Sequence, residues 1–201
     1  MTSVESKDLP APGPLNDALR DYLRQFEDAK ERAVQLFAGL SPAQAQWQPA
    51  PESWSMADCL QHLNITAEQY YPAMDGAIKG GRERGVKGTP PFRHGFFVNW
   101  FVRMLEPPPR RRLKAPTKFR VGLGSADETE FPKFMAHQDA LARRVQQSGG
   151  LHLARVKLVS PVSPLLRMSL GQCFALLAAH ERRHLWQAAA VRRNPRFPPS
   201  T

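Results

Sequence analysis

The chain has 201 residues, a formal charge of +10 and two cysteines, which allows one domain with its own core and excludes a disulfide framework. No CxxC spacing occurs, and the most apolar short run, Phe96 to Leu105, is far too short to span a bilayer. The opening MTSVESKDLPAPGP has no apolar stretch behind a basic start, so it is not a secretory signal. A soluble, cytoplasmic chain is expected, with Cys59 and Cys173 as small, buried, reduced residues.

Residues 1–14 are polar and proline-bearing and are expected to be poorly ordered. Leu19, Tyr22, Leu23, Phe26, Ala33, Val34 and Phe37 recur at three- and four-residue steps and predict a first helix, closed by Gly39 and Pro42. The proline-rich stretch LSPAQAQWQPAPESWS reads as a loop whose Trp47 and Trp54 plug the end of a core. Ser55, with Asp58 three residues on, reads as a capping box opening a second helix over Met56 to Ile78. Leu60, Leu63, Ala67 and Tyr71 are expected to face its core, and Pro72 to kink or end it. His62 lies on this helix and, taken alone, reads as a polar residue satisfied by a carbonyl or carboxylate. Cys59, Thr66 and Gln69 share roughly its face and are candidates for lining a cavity.

Gly80 to Pro91 reads as a glycine-rich mobile loop, and Phe92 to Leu105 as a short helix or buried cover ended by Pro107-Pro108-Pro109. Residues 110–124 have no clear period. The basic clusters, Arg110-Arg111-Arg112 with Lys114, Lys118 and Arg120, and Arg192, Arg193 and Arg196 near the end, fall in proline-containing loop and tail. No stacking aromatics alternate with them, so they read as solvated surface and nucleic acid is not the expected partner. A third long helix starts near Ser125 or Thr129, with Asp127, Glu128 and Glu130 at the positive end of its dipole. Phe131, Phe134, Met135, Leu141 and Val145 form its stripe, and Ser148-Gly149-Gly150 ends it; His137 receives no role. Leu151 to Pro164 reads as extended. The last helix runs from about Ser169 to Arg193 with Leu170, Phe174, Leu177 and Trp186 among its apolar positions. The pattern predicts an all-α four-helix bundle over residues 15–194, with an extra short helix or long loop between the second and third main helices and a flexible tail over 195–201.

The last helix carries His180-Glu181-Arg182-Arg183-His184. Histidines four apart lie on one helical face with Cβ atoms about 5–6 Å apart, where one divalent ion can touch both. The letters also match the zinc-protease pattern H-E-x-x-H, which needs a further ligand downstream. LWQAAAVRRNPRFPPST contains no Asp, Glu, His or Cys, so that match is read as coincidental and a third ligand has to come from upstream.

Trp54-Ser55-Met56-Ala57-Asp58-Cys59-Leu60-Gln61-His62-Leu63 resembles the WS-x-x-E-x-x-x-HL start of the second helix in the DinB/YfiT-like superfamily. His180 to Gln187 resembles that family's H-x-x-x-HL-x-Q near the end of its fourth helix. The resemblance implies an up-down-down-up bundle and a divalent metal, zinc or nickel, held by His62, His180 and His184. It also implies S-transferase or isomerase chemistry with a low-molecular-weight thiol such as bacillithiol or mycothiol, and a homodimer. The chain departs from compact members between about Arg82 and Gly124. An open metal position could activate a thiol as nucleophile or a water for hydrolysis. Glu181 is expected to orient an imidazole or pair with a nearby arginine more than to act as general base. Basic residues of segment 107–124 are candidates for binding a carboxylate-bearing thiol. The competing class is a non-catalytic, stress-associated bundle that acts as an interaction protein.

Overall fold

Three serines open three of the helices in the same way. Ser41, Ser55 and Ser169 each accept the N–H three residues on, and Gln44, Asp58 and Gln172 at that third position reach back to the serine N–H. Two otherwise orphaned backbone donors are satisfied at each start. The computed structural model describes residues 12–93, 95–108, 117–119, 121–122 and 124–199. The helices are α1 (Asp17–Phe37), α2 (Pro42–Gln46), α3 (Met56–Glu83), α4 (Phe96–Leu105), α5 (Glu130–Gln147) and α6 (Leu170–Arg192), with a 3-10 turn over Thr117–Phe119. Helix α3 packs against α5 and α6, α1 packs against the same two, and α4 lies on α6. The fold is mostly helical, as the periodicity predicts.

The stretch expected to be merely extended contains a small antiparallel hairpin, β1 (Lys157–Val159) with β2 (Arg167–Ser169), in which Leu158 sits opposite Met168. Both of those residues are buried, so the hairpin covers one end of the core before the chain enters α6. One apolar cluster gathers Leu19, Phe26, Tyr70, Met74, Leu141 and Phe174. A second gathers Ala33, Met56, Leu60, Phe134, Leu185 and Ala188, with Trp54 packed against it. Burial of these side chains, at about 1.5–3 kcal/mol each, is what holds α3 and α6 at a fixed separation.

Helix α3 differs from expectation in where it ends, in the glycines it takes in and in which tyrosine it buries. It runs through Pro72 and ends at Glu83 rather than Ile78. Pro72 and Glu68 are both exposed, so the carbonyl that loses its helical donor is left on the wet face, while Tyr70, Met74, Ala77 and Ile78 hold the other face in the core. The glycines at 80 and 81 therefore belong to the helix. A Cβ on Gly81 would lie 2.9 Å from Val156 Cγ2, so this glycine allows the strand-ward segment to approach. Gly85, at φ +62°, ends the helix. Tyr70, not Tyr71, points into the core: Tyr70 is 1% exposed and its hydroxyl pairs with Ser160 Oγ at 3.0 Å.

Other assignments shift by a position or two. Val34 and Trp186 stand on the outside, and Ala29, Leu36 and Leu185 take the buried places on those helices. The loop expected over 40–55 contains α2, and Trp47 packs edge-on to Phe197 at 5.5 Å. Arg192 is not simply solvated surface, since its guanidinium donates to the Gln35, Leu36 and Ala38 carbonyls at the end of α1 (2.9, 2.6 and 3.2 Å). Arg196 donates to the Pro49 carbonyl. The N-terminal residues 1–11 and the basic run 110–112 with Lys114 and Arg120 lie outside the described residues. No helix among the described residues is long and apolar enough to cross a membrane.

Candidate metal centre

The capping box at Ser55 fixes where α3 begins, and therefore which of its residues meet α6. Seven and eight residues on from Ser55, His62 and Leu63 both turn inward. On α6, His180 and His184 are one turn apart and face the same way. The result is a cluster in which one ring nitrogen from each of His62, His180 and His184 lies within 4.8 Å of the others. The ring centroids are 4.9, 4.7 and 4.6 Å apart, and all three pairs meet edge to face. His62 and His184 are 4% and 7% exposed, whereas His180 keeps partial access to solvent.

The protons can be placed from chemistry. His62 Nδ1 lies 2.7 Å from the Phe119 carbonyl, which can only accept, so Nδ1 carries the hydrogen and Nε2 keeps its lone pair. That lone pair lies 3.1 Å from His180 Nε2, whose N–H donates to it. Burial, the largest cause, lowers the pKa of all three rings below the ordinary 6.5; for His180 and His184 the neighbouring rings and Arg183 lower it further. Neutral imidazoles are the form that ligates a metal. Tetrahedral coordination at about 2.0–2.1 Å sets ligand nitrogens roughly 3.3 Å apart, close to the 3.1 Å between His62 Nε2 and His180 Nε2 and within the 4.8 Å that bounds the whole set. The donor set and this spacing fit a divalent ion of the zinc or nickel kind.

The profile of the DinB superfamily matches residues 25–188, a span that contains all three histidines. The chain belongs to the DinB superfamily. No curated protein and no solved structure matches it.

Around the cluster, this DinB-superfamily chain builds a wall that sequence reasoning underestimated. Trp54, expected only to plug a core end, lies with its ring centroid 5.0 Å from His62 and stacks on His184 at 5.4 Å. Its sequence signal was its place eight residues before His62 on the same helix start. Arg182 makes a two-pronged ion pair with Glu106, at 2.9 and 2.5 Å, and donates to Gln25, tying α6 to the end of α4 and to α1. Arg183 is buried and donates to the Met104 carbonyl.

Other candidates go elsewhere. Cys59 is fully buried in the core cluster, where burial pushes its thiol pKa up, so it is no nucleophile. Thr66 donates to the His62 backbone carbonyl, and Gln69 is exposed. Glu181 faces α5, where Gln138 Nε2 donates to its Oε1 at 3.0 Å, and the Arg182 charge acts on it without a hydrogen bond among the described residues. Its Oε2 and Gln138 Oε1 are buried without partners, and burial raises the carboxyl pKa to about 8. His137 pairs with Tyr71 Oη and with Glu68, outside the cluster.

Proposed function

We propose that this chain is a metal-dependent enzyme of the DinB superfamily, an S-transferase that uses a low-molecular-weight thiol such as bacillithiol or mycothiol. The observation that carries the reading is the convergence of three neutral imidazoles from two helices on one point. We further propose that His62, His180 and His184 are the ligands of zinc or nickel, that residues 15–194 form an up-down-down-up bundle, and that the protein is a cytoplasmic homodimer. The paired packing of α1 and α3, each on α5 and α6, supports the bundle.

When bound, the ion supplies a Lewis acid that lowers the pKa of a thiol or water at its open position. The residues of the chain do the rest. His62 is held in one tautomer by Phe119, so its Nε2 lone pair is available without reorganisation. Trp54 closes the His62 and His184 side against water, while the partly exposed His180 marks the side from which a thiol and an electrophile can enter. Glu181, engaged by Gln138, links α6 to α5 through a buried side-chain hydrogen bond and is assigned no proton transfer to the substrate.

Elemental analysis of purified His180→Ala and His184→Ala variants tests the metal site: each is expected to lose the bound ion that the parent retains. Metal-loaded parent protein, screened against several cellular thiols with one generic electrophile, tests the reaction. Full retention of metal in both variants defeats the site, and no turnover with any thiol defeats the transferase reading.

A further inference from the structure

The segment between α3 and α5, in which this chain departs from the compact pattern, reaches back into the metal centre. We infer that Phe119 is a positioning residue of that centre: its backbone carbonyl holds His62 as the Nδ1–H tautomer, with the Nε2 lone pair presented toward His180. The inference rests on the three-histidine metal site proposed above.

The geometry is specific. The His62 Nδ1 to Phe119 carbonyl distance of 2.7 Å is short for an N–H···O bond, and the contact is buried. The nearby hydroxyl on α3 is engaged elsewhere, since Thr66 Oγ donates to the His62 backbone carbonyl. The Phe119 ring is what fixes its own carbonyl: it is 3% exposed, belongs to the main core cluster and lies 6.5 Å from the Tyr70 ring. Upstream, the same segment is fastened to α6 at two points, one before the histidine pair and one between its two members. Gln172 Nε2 donates to the Gly95 carbonyl at 2.8 Å, and Arg182 pairs with Glu106. The segment therefore grips both helices that carry ligands. A residue 57 positions from His62, with no atom in the ligand set, sets how ready that ligand is. Partners that orient a metal-ligating histidine typically change metal affinity about 10–100-fold when lost.

The test uses the full chain. Zinc affinity is measured by competition with a chromophoric chelator for the parent, Phe119→Ala and Phe119→Leu, and the His62 ring tautomer is read by nitrogen NMR of metal-free protein. Phe119→Ala, which removes the anchor, is expected to weaken zinc binding about 10–100-fold and to mix the His62 tautomers. Phe119→Leu, which keeps an apolar anchor, is expected to stay close to the parent in both. A parent spectrum with His62 protonated at Nε2 overturns the inference, as does a folded Phe119→Ala variant that binds zinc as tightly as the parent. Should Phe119→Ala fail to fold, the parent spectrum decides alone. A parent that binds no zinc defeats the proposed function, while the tautomer measurement still judges the role of Phe119.

Discussion

Glu181→Gln is expected to stabilise the protein at neutral and alkaline pH and to change little in acid. The carboxyl is 5% exposed, has one hydrogen-bond donor, Gln138, and leaves its Oε2 and Gln138 Oε1 buried without partners. Burial is the main cause that lifts its pKa from 4.5 to about 8. Because the folded pKa is raised, the folded chain holds a proton that the unfolded chain has released between pH 4.5 and about 8. Stability from this group is therefore fully present below pH 4.5 and is lost as pH rises through that window. At about 1.4 kcal/mol per pH unit the loss reaches roughly 4 kcal/mol by pH 8. A glutamine side chain keeps the acceptor for Gln138 Nε2, adds a donor and carries no charge. Metal-free parent and variant are compared by urea unfolding from pH 5 to 9, and the difference between the two cancels the contribution of the histidines. The expected gap grows from under about 1 kcal/mol at pH 5 to roughly 4 kcal/mol at pH 8, the latter on the order of 10 °C in Tm. A gap that does not vary with pH, or a variant less stable than its parent at pH 8, refutes a buried, proton-bearing Glu181.

The three histidines act in the opposite direction. Their folded pKa values are lowered below 6.5, so the stability they contribute is present above pH 6.5 and lost as pH falls below it; bound metal is expected to leave over the same acid range, read by dialysis and elemental analysis. Gly81→Ala gains helix propensity but drives a methyl to 2.9 Å from buried Val156, and a net loss of about 1–2 kcal/mol is expected by chemical denaturation. Arg192→Ala removes a donor from three carbonyls at the end of α1 and is expected to cost about 1 kcal/mol; an unchanged melting temperature would show that water replaces it.

Local chemistry made much of the fold and half of the site legible from the residues alone. Ser55 with Asp58 marks the start of α3, Ser169 begins α6, and the four-residue step between His180 and His184 places two ligands on one face. Each of these is settled within a turn or two of helix, where spacing is geometry. Joining His62 to that pair takes both the expectation of a bundle, which brings facing helix positions together, and the resemblance to a family, because two helix faces meet only after packing. At Pro72 and at the glycines 80 and 81 the local preference for ending a helix is outweighed by the core contacts of Met74, Ile78 and Val156 on the finished molecule.

By itself, the amino-acid order determined which segments are helical, where they begin, and that two imidazoles share a face. Only the tertiary structure decided that the Phe119 carbonyl orients His62, that Trp54 stacks on His184, and that Glu181 turns to Gln138. Those contacts join residues far apart in the chain through a backbone carbonyl, a ring face and a buried carboxyl group, none of which leaves a periodic trace in the sequence. They come into being when burial of the surrounding apolar side chains fixes the distances between helices.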